Sequence, residues 1–298
     1  MTEEEFLRFL VRHLSSGPEV LRAAEEDCAV VAEGDVSRLY TADALVEGVH
    51  FERKYFSSEA LGWKLAAVNL SDVAAMGGAP EGALLILGAP SLEEEFLEAF
   101  YRGLRQGLEK YGAGLLGGDT VRAPVLFLGL FLFARAASPV FRSGARPGDL
   151  LFVSRPLGAS AAALRFLKEG RRPPEPLLQA HLFPEPEVEL GQEVARRALA
   201  SAMMDISDGL LLDLSRLCRA SGVPGAELEE VPVAEGATEE EALSGGEDFA
   251  LLLAVPPEKA PLLGGLKRPL FRIGKLVETP GLRLKGRPLS PQGFDHFA

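Results

Sequence analysis

The sequence predicts an α/β protein of two domains, and three observations support this prediction. Its 298 residues exceed the usual length of one domain, and 47% of them are hydrophobic, enough for a large core. Short β-type runs and longer helical patterns alternate along the chain, as α/β folds require. A segment rich in Gly, Pro and charge interrupts that alternation at 143–149. We therefore expect one domain over residues 1–140 and a second over residues 141–298.

The first domain is predicted to have the element order β-β-α-β-α-β-β. Ser57 or Ser58 is a candidate N-cap for its first helix, and Gly77 is suited to end that helix. Ser91 and Glu94 have the spacing of a capping box before its second helix. Strands are predicted at 28–32, 39–46, 83–87, 114–116 and 125–133, and helices at 57–76 and 91–111.

A second series of strands and helices is predicted from residue 150 onward. Short apolar runs favour strands, and longer stretches with helical periodicity favour helices. The Pro-rich segment 171–176 is expected to be a surface loop. Strands are predicted at 150–153, 202–204, 249–255 and 270–273, and helices at 159–169, 188–199 and 209–221.

The chain has 31 basic and 43 acidic side chains, which gives a net charge of −12. This excess argues against a protein that holds nucleic acid or an anionic membrane through its overall field. The acidic segment at 1–6 does not resemble a signal peptide, and the longest apolar run, 125–133, is about half of a bilayer span. Two cysteines, Cys28 and Cys218, exclude a disulfide framework and a Cys-rich zinc site. We expect a soluble, cytoplasmic protein without nucleic-acid or membrane partners.

The glutamate runs at 3–5, 93–95 and 239–241 fall in or near the first turns of helices, where negative charge is favourable without any ligand. Asp72 is different, because it lies four residues from both Val68 and Met76 on the apolar stripe of its helix. A carboxylate that faces inward must be paired, hydrogen-bonded or bound to a cation. Asp72 is therefore a candidate metal ligand, and the alternative is a buried aspartate that caps a neighbouring loop.

Further aspartates lie at or just after predicted strands, where open α/β sheets bind ligands. They are Asp43, Asp119, Asp205 and Asp208. Asp208 has an alternative interpretation as a residue that favours the start of the following helix. Because the donors are oxygen atoms without an accompanying His or Cys cluster, we expect Mg²⁺ or a similar hard cation.

Two Gly-Gly segments, 116–120 and 243–248, are predicted turns that expose backbone N–H groups beside an acid. Such turns can hold phosphate, although a Gly-Gly pair is also simply a turn. The Walker A motif, the dinucleotide fingerprint, the zinc-protease motif and the nucleophile elbow are all absent from the sequence. Any nucleotide chemistry is therefore expected to differ from the Walker type.

A series of motifs, in order and over nearly the whole chain, resembles the thiamine-monophosphate kinase family. The specific part is Val68-Asn-Leu-Ser-Asp72 with Ala75-Met-Gly77. The other matching segments are 41–51, 117–120, 142–149, 204–210, 244–249 and the ending Gly293-Phe-Asp-His-Phe297. This family belongs to the superfamily of aminoimidazole ribonucleotide synthetase and selenophosphate synthetase.

The resemblance implies a fold and an activity. The expected fold is an N-terminal mixed-sheet α/β domain that dimerises through its sheet, followed by a C-terminal α/β domain. The expected reaction transfers the γ-phosphoryl group of ATP to thiamine monophosphate, giving thiamine diphosphate and ADP with the help of several Mg²⁺ ions. The acceptor is already an ionised phosphate, so no general base is expected.

The resemblance also implies the roles of individual residues. The implied magnesium ligands are Asp27, Thr41, Asp43, Asp72, Asp119, Asp205 and Asp208. The implied ATP contacts are Gly118, Asp119, Arg142 and Ser207, and the implied thiamine-phosphate contacts are His50 and Glu247. Without the resemblance, Arg142 is most simply a surface arginine and His50 an exposed residue at a strand end.

The chain departs from the family pattern at four positions. They are Glu25 and Glu26 in place of Gly and Asp, Ala42 in place of a hydroxyl residue, and Glu187 in place of Arg. An aromatic residue expected shortly before the terminal motif is also not evident. Two alternatives therefore stay open: another ATP-dependent enzyme of the superfamily, and a non-catalytic relative that binds nucleotide or thiamine phosphates.

Overall fold

The computed structural model describes residues 3–14 and 17–296. Its strands are β1 (Val20–Arg22), β2 (Ala29–Glu33), β3 (Val36–Val46), β4 (Ala79–Ala89), β5 (Gly114–Arg122), β6 (Phe127–Ala136), β7 (Leu150–Val153), β8 (Ala202–Ile206), β9 (Gly225–Leu228), β10 (Ala250–Val255), β11 (Phe271–Val277), β12 (Gly281–Leu284) and β13 (Arg287–Leu289). Its helices are α1 (Glu3–Val11), α2 (Ser58–Ala75), α3 (Glu94–Lys110), α4 (Ala159–Lys168), α5 (Glu175–Leu182), α6 (Val188–Arg196), α7 (Leu210–Ala220), α8 (Glu239–Ser244) and a 3-10 helix, Ala260–Gly265. None of the helices in these described ranges is long and apolar enough to span a membrane.

The first sheet has six strands in the order β1-β2-β3-β6-β4-β5. It is mixed, because β4 and β5 pair parallel whereas the other neighbours pair antiparallel. Helices α2 and α3 pack against each other, with α2 on β3, β4 and β6 and α3 on β5. The predicted element order from β2 to β6 is confirmed, and α1 and β1 are added before it.

The second sheet has seven strands in the order β13-β12-β9-β11-β7-β10-β8. Its pairings are antiparallel except between β9 and β12. The predicted strands β7, β8, β10 and β11 are present, and so are α4, α6 and α7. The elements that were not predicted are β9, α5, α8, β12, β13 and the 3-10 helix, none longer than eight residues. Such short elements have too few residues for a periodicity to be visible.

Three local predictions are wrong. The capping box at Ser91 is absent: α3 begins at Glu94, its N-cap is Glu93, and that residue makes no side-chain cap bond. The Pro-rich segment is not a loop throughout, because α5 starts at Glu175 with a proline in its first turn, a position that needs no N–H partner. The pair Gly117-Gly118 is not a turn but part of β5, where both residues have a φ of 154°, a backbone conformation that residues other than glycine rarely adopt.

Helix α2 lies at the centre of the molecule, and nearly all of its residues are buried. Ser57 is confirmed as its N-cap, with Oγ accepting a hydrogen bond from the Ala60 N–H at 3.1 Å. Gly103 of α3 allows the close approach of the two helices, since a Cβ there would lie 1.9 Å from the Glu59 carbonyl oxygen. Helix α2 also packs against β8 and β10 of the second sheet. The first hydrophobic core therefore continues into the second half of the chain, where it includes Met203 and Leu251.

Candidate functional site

A cavity of about 1140 Å³ is lined by residues from both halves of the chain. Ten of the residues predicted from the sequence lie in its wall: Asp27, Thr41, Asp43, His50, Asp72, Arg142, Asp205, Ser207, Asp208 and Glu247. The two others, Gly118 and Asp119, are exposed on β5, the edge strand of the first sheet. The structure thus brings most of the predicted set together and leaves these two apart from it.

Four aspartates form what we name the carboxylate cluster: Asp27, Asp43, Asp72 and Asp205. Asp27, Asp72 and Asp205 each have a carboxylate oxygen that lies within 4.8 Å of those of the other two. Burial, together with the neighbouring carboxylates, raises the pKa of Asp72 and Asp205 well above the usual range. Burial likewise raises the pKa of Asp43 to about 6. Such a group of oxygen ligands could hold a hard divalent cation, which would offset the mutual repulsion.

Polar side chains of α2 hold the carboxylate cluster in place. Asn69 Oδ1 accepts a hydrogen bond from the Asp43 N–H at 3.1 Å, which fixes β3. Ser71 Oγ donates a hydrogen bond to Asp205 Oδ2 at 2.6 Å, which fixes β8 of the second sheet. In the other direction, Thr41 Oγ1 of β3 donates a hydrogen bond to Asp72 of α2. The motif 68–72 therefore connects a strand of each sheet to one helix. We did not predict roles for Asn69 and Ser71, although their place in that motif was the available signal.

Arg142 is not a surface arginine. Its guanidinium donates to both carboxylate oxygens of Asp27, Nη2 to Oδ1 at 2.6 Å and Nε to Oδ2 at 3.1 Å. Glu26 accepts a hydrogen bond from the Arg142 N–H at 2.7 Å, and burial raises the pKa of this glutamate. The departure from the family pattern at Glu26 therefore contributes to positioning Arg142.

The loop after β8 is held by a residue that the sequence did not single out. Asp213 is fully buried, and its Oδ2 accepts hydrogen bonds from three consecutive N–H groups of the loop, Ser207, Asp208 and Gly209, at 3.1–3.2 Å. Arg216 forms ion pairs with Asp213 at 2.8 Å and with Asp208 at 2.5 Å. The N-cap of α7 is Gly209, so Asp208 lies one residue before the cap, near the start of that helix.

A second polar group lies at the same cavity, and we name it the lysine cluster: Ser160, His181 and Glu247 line the wall, and Lys64 lies buried against Glu247. Lys64 is completely buried, and its Nζ lies 2.7 Å from Glu247 Oε1 and 4.9 Å from the centre of the Phe56 ring. Burial alone would raise the pKa of Glu247, but the Lys64 ammonium, together with His181 and Ser160, outweighs burial, and the pKa is lowered. We had not assigned a role to Lys64, Ser160 or His181.

The C-terminal segment closes one side of the cavity. The Phe294 N–H donates to the Asp208 carbonyl at 2.9 Å, and a Cβ at Gly293 would lie 2.5 Å from the same oxygen. The Phe294 and His296 rings lie 4.7 Å apart between centres, and His296 lies 4.9 Å from His50. Aromatic rings are therefore present at this end of the cavity, within the terminal motif; its last residue, Phe297, lies outside the described residues.

The acidic residue that replaces the family's arginine is not in the cavity wall. Glu187 is 3% exposed and accepts a hydrogen bond from Arg155 Nε at 2.9 Å, and it also contacts the Arg268 guanidinium. It is the N-cap residue of α6, where a negative charge also faces the positive end of the helix dipole. This departure therefore serves ion pairing between the start of α6 and two arginines, Arg155 after β7 and Arg268 before β11.

Comparison with known proteins agrees with this fold. Residues 25–136 match the family model of the AIR synthase related protein N-terminal domain, and residues 146–287 match that of its C-terminal domain. The fold is thus that of an AIR synthase related protein.

Individual relatives narrow the class further. The chain is 37% identical to the thiamine-monophosphate kinase of Aquifex aeolicus over 289 residues, covering 91% of this chain and 92% of that protein. It is 36% identical to the thiamine-monophosphate kinase of Escherichia coli K12, covering 98% and 96%. The solved structure of AaThiL complexed with AMPPCP and TMP superposes with a TM-score of 0.89 at 34% identity, covering 99% and 97%. The chain belongs to the thiamine-monophosphate kinase family.

Proposed function

We propose that this protein transfers the γ-phosphoryl group of ATP to thiamine monophosphate, giving thiamine diphosphate and ADP. The observation that carries the proposal is the single cavity that collects ten residues predicted for this reaction. Similarity over nearly the whole chain to thiamine-monophosphate kinases, one of them complexed with AMPPCP and TMP, supports the same conclusion.

We propose Mg²⁺ as the metal of the carboxylate cluster. The donor set supports a hard cation, because it consists of carboxylate oxygens and the Thr41 hydroxyl without thiolate or imidazole. Asp208, in the same cavity wall, is the further ligand proposed from this chain. Bound there, Mg²⁺ would neutralise charge on the phosphate groups that the two substrates bring together.

The residues of the chain itself bind and orient the two substrates. Arg142 and Ser207 are the proposed ATP contacts, and His50 and Glu247 the proposed contacts of thiamine monophosphate. His50 Nδ1 accepts the Val46 N–H at 3.0 Å, so the proton of its neutral ring is on Nε2, which can donate to a phosphate oxygen. An oxygen of the acceptor phosphate attacks the γ-phosphorus while the bond to the ADP oxygen breaks. Because that acceptor oxygen is already ionised, no side chain has to remove a proton.

One assay tests the proposal directly. Purified protein is incubated with ATP, MgCl₂ and thiamine monophosphate, and the products are separated by chromatography. We expect thiamine diphosphate and ADP in equal amounts. Tight ATP binding without thiamine diphosphate would contradict the kinase and support the non-catalytic alternative, whereas turnover of a different acceptor would support another superfamily enzyme.

We also propose that residues 1–140 form a domain that pairs with a second copy through its sheet, which makes the protein a homodimer. Large apolar side chains are exposed on β4, β5 and β6: Leu84, Ile86, Leu116, Val121 and Phe131. An exposed apolar surface of this kind is typical of a protein–protein interface. Gly118 and Asp119 also lie on the exposed strand β5, away from the cavity of their own chain. If two copies pair through this sheet, these two residues could contribute to the cavity of the second copy.

Light scattering tests the homodimer. The wild-type protein is expected to have twice the 31.9 kDa mass of one chain, and Ile86→Lys is expected to shift it towards the monomer. Glu98→Lys on the exposed side of α3 is a control that introduces the same lysine side chain away from this sheet surface. A wild-type mass of one chain would contradict the proposal.

A further inference from the structure

In the part of the cavity wall that belongs to the lysine cluster, one buried ring nitrogen has no hydrogen-bond partner among the described residues. His181 is 2% exposed, and its Nε2 has no hydrogen-bond partner among the residues that the structure describes. Buried polar atoms in folded proteins are almost always paired. Since His181 is part of the wall of the 1140 Å³ cavity, a ligand in that cavity is the available partner.

Contacts at the other ring nitrogen determine which form of the imidazole is present. His181 Nδ1 lies 2.8 Å from Ser160 Oγ and 3.5 Å from Glu247 Oε2. Ser160 Oγ donates its single proton to the same Glu247 oxygen at 3.2 Å, because an ionised carboxylate can only accept. Ser160 must then accept from Nδ1–H, so Nε2 of the neutral ring carries a lone pair. Burial and the Lys64 ammonium lower the pKa of His181 to about 4, in agreement with a neutral ring.

Glu247 supplies a second acceptor in the same wall. Its backbone is in the left-handed region, with φ of 65°, and its side chain is 29% exposed towards the cavity. The completely buried Lys64 holds Oε1 from behind at 2.7 Å, and Ser160 holds Oε2. The carboxylate is thus ionised and fixed in position, and the wall presents two acceptors to whatever occupies the cavity.

We propose that His181 Nε2 and the Glu247 carboxylate form a subsite for an amino group of the acceptor substrate. The proposal rests on the function proposed above, because thiamine monophosphate carries a single exocyclic amino group, on its pyrimidine ring and remote from its phosphate. An uncharged amino group has two N–H donors, which match the two acceptors in number. In this arrangement His181 contacts the substrate, whereas Lys64 and Ser160 are positioning residues.

The subsite is tested with a pair of substrates that differ only at this group, thiamine monophosphate and its analogue with an oxo group in place of the amino group. The wild-type enzyme is expected to prefer the amino substrate by about tenfold or more in kcat/KM. His181→Asn keeps an amide nitrogen near Nδ1 but removes Nε2. It is expected to raise the KM of the amino substrate alone and to abolish most of the preference. His181→Gln, whose amide oxygen can reach towards the position of Nε2, is expected to restore part of it.

A purely structural role of His181 would give a different result. If His181→Asn lowers kcat/KM equally for both acceptors, or raises the KM of ATP to the same extent, the subsite is contradicted. If the wild-type protein forms no thiamine diphosphate, the proposed function fails, and the subsite is then measured by calorimetric titration with thiamine and its oxo analogue. Equal binding of those two compounds by the wild-type protein would overturn the subsite by itself.

Discussion

Two clusters of charged residues lie at one cavity, and they differ in whether their positive and negative charges balance. The carboxylate cluster gathers four acidic groups, and Arg142 pairs with only one of them, Asp27. The lysine cluster places one ammonium against one carboxylate and adds a neutral hydroxyl and a neutral imidazole. The first therefore needs additional positive charge, whereas the second needs only a hydrogen-bond donor. Charge imbalance, rather than the presence of acids, is what distinguishes a cation site from a site for an uncharged group.

The largest effect on activity is expected for a substitution in the carboxylate cluster, where the charges do not balance. Asp72→Asn is predicted to lower kcat by about 10²–10³-fold, because one oxygen ligand and one charge are lost where the phosphates meet. Thermal melting without metal is expected to be unchanged or slightly higher, since repulsion within the cluster decreases. MgCl₂ is expected to raise the melting temperature of the wild-type protein but not of the variant.

A control for this prediction is Asp35→Asn, which makes the same change in an exposed turn. Its activity and its response to MgCl₂ are expected to match those of the wild-type protein. Full activity of Asp72→Asn would remove this residue from the proposed metal site.

In the lysine cluster, where the charges balance, removal of the carboxylate is expected to reduce the stability of the protein. Glu247→Ala leaves the fully buried Lys64 ammonium without its partner and is expected to lower the free energy of unfolding by about 3–5 kcal/mol. The double variant Lys64→Met/Glu247→Ala removes both charges and is expected to recover most of that loss. Urea unfolding monitored by circular dichroism measures all three proteins. Equal stability of the single and double variants would show that the ion pair does not balance the buried charge.

The smallest effect concerns two neighbouring carboxyl groups with opposite environments. Lys64 lowers the pKa of Glu247, whereas burial raises that of Asp248 to about 7, despite hydrogen bonds from the Gly158 N–H to both oxygens at 2.8–2.9 Å. In the unfolded chain Asp248 loses its proton near pH 4, so between about pH 4 and 7 the folded state binds more protons. Its contribution to stability therefore falls as the pH rises through that window.

Asp248→Asn removes this titration, and we expect the free energy of unfolding of the variant to decline less between pH 5 and pH 8 than that of the wild-type protein. Urea unfolding at the two pH values measures the difference. An identical decline in both proteins would place Asp248 outside the groups that govern the pH dependence.

Local sequence patterns predicted most of the long helices and strands. They failed for short motifs of two to four residues whose conformation depends on the neighbouring strands and helices. Helix α2 was predicted within one residue at each end, because Ser57 and Gly77 are chemically specific boundaries. Gly117-Gly118 was interpreted as a turn from composition, yet pairing with β4 keeps it in a strand. The same limit applies to Ser91, whose capping spacing is present although the helix starts at Glu94.

The sequence by itself determined which residue types could hold a phosphate-bound cation, because aspartates outside first turns and a motif on one helix are visible in its order alone. Only the tertiary structure decided how they meet. It brought β3 and β8 to the two sides of α2 through Asn69 and Ser71, and it placed Lys64 and His181 beside Glu247. The physical reason is that the residue type alone fixes the charge of a side chain and its hydrogen-bond donors. Its burial and its partners depend instead on contacts between residues far apart in the chain, such as Ser71 and Asp205.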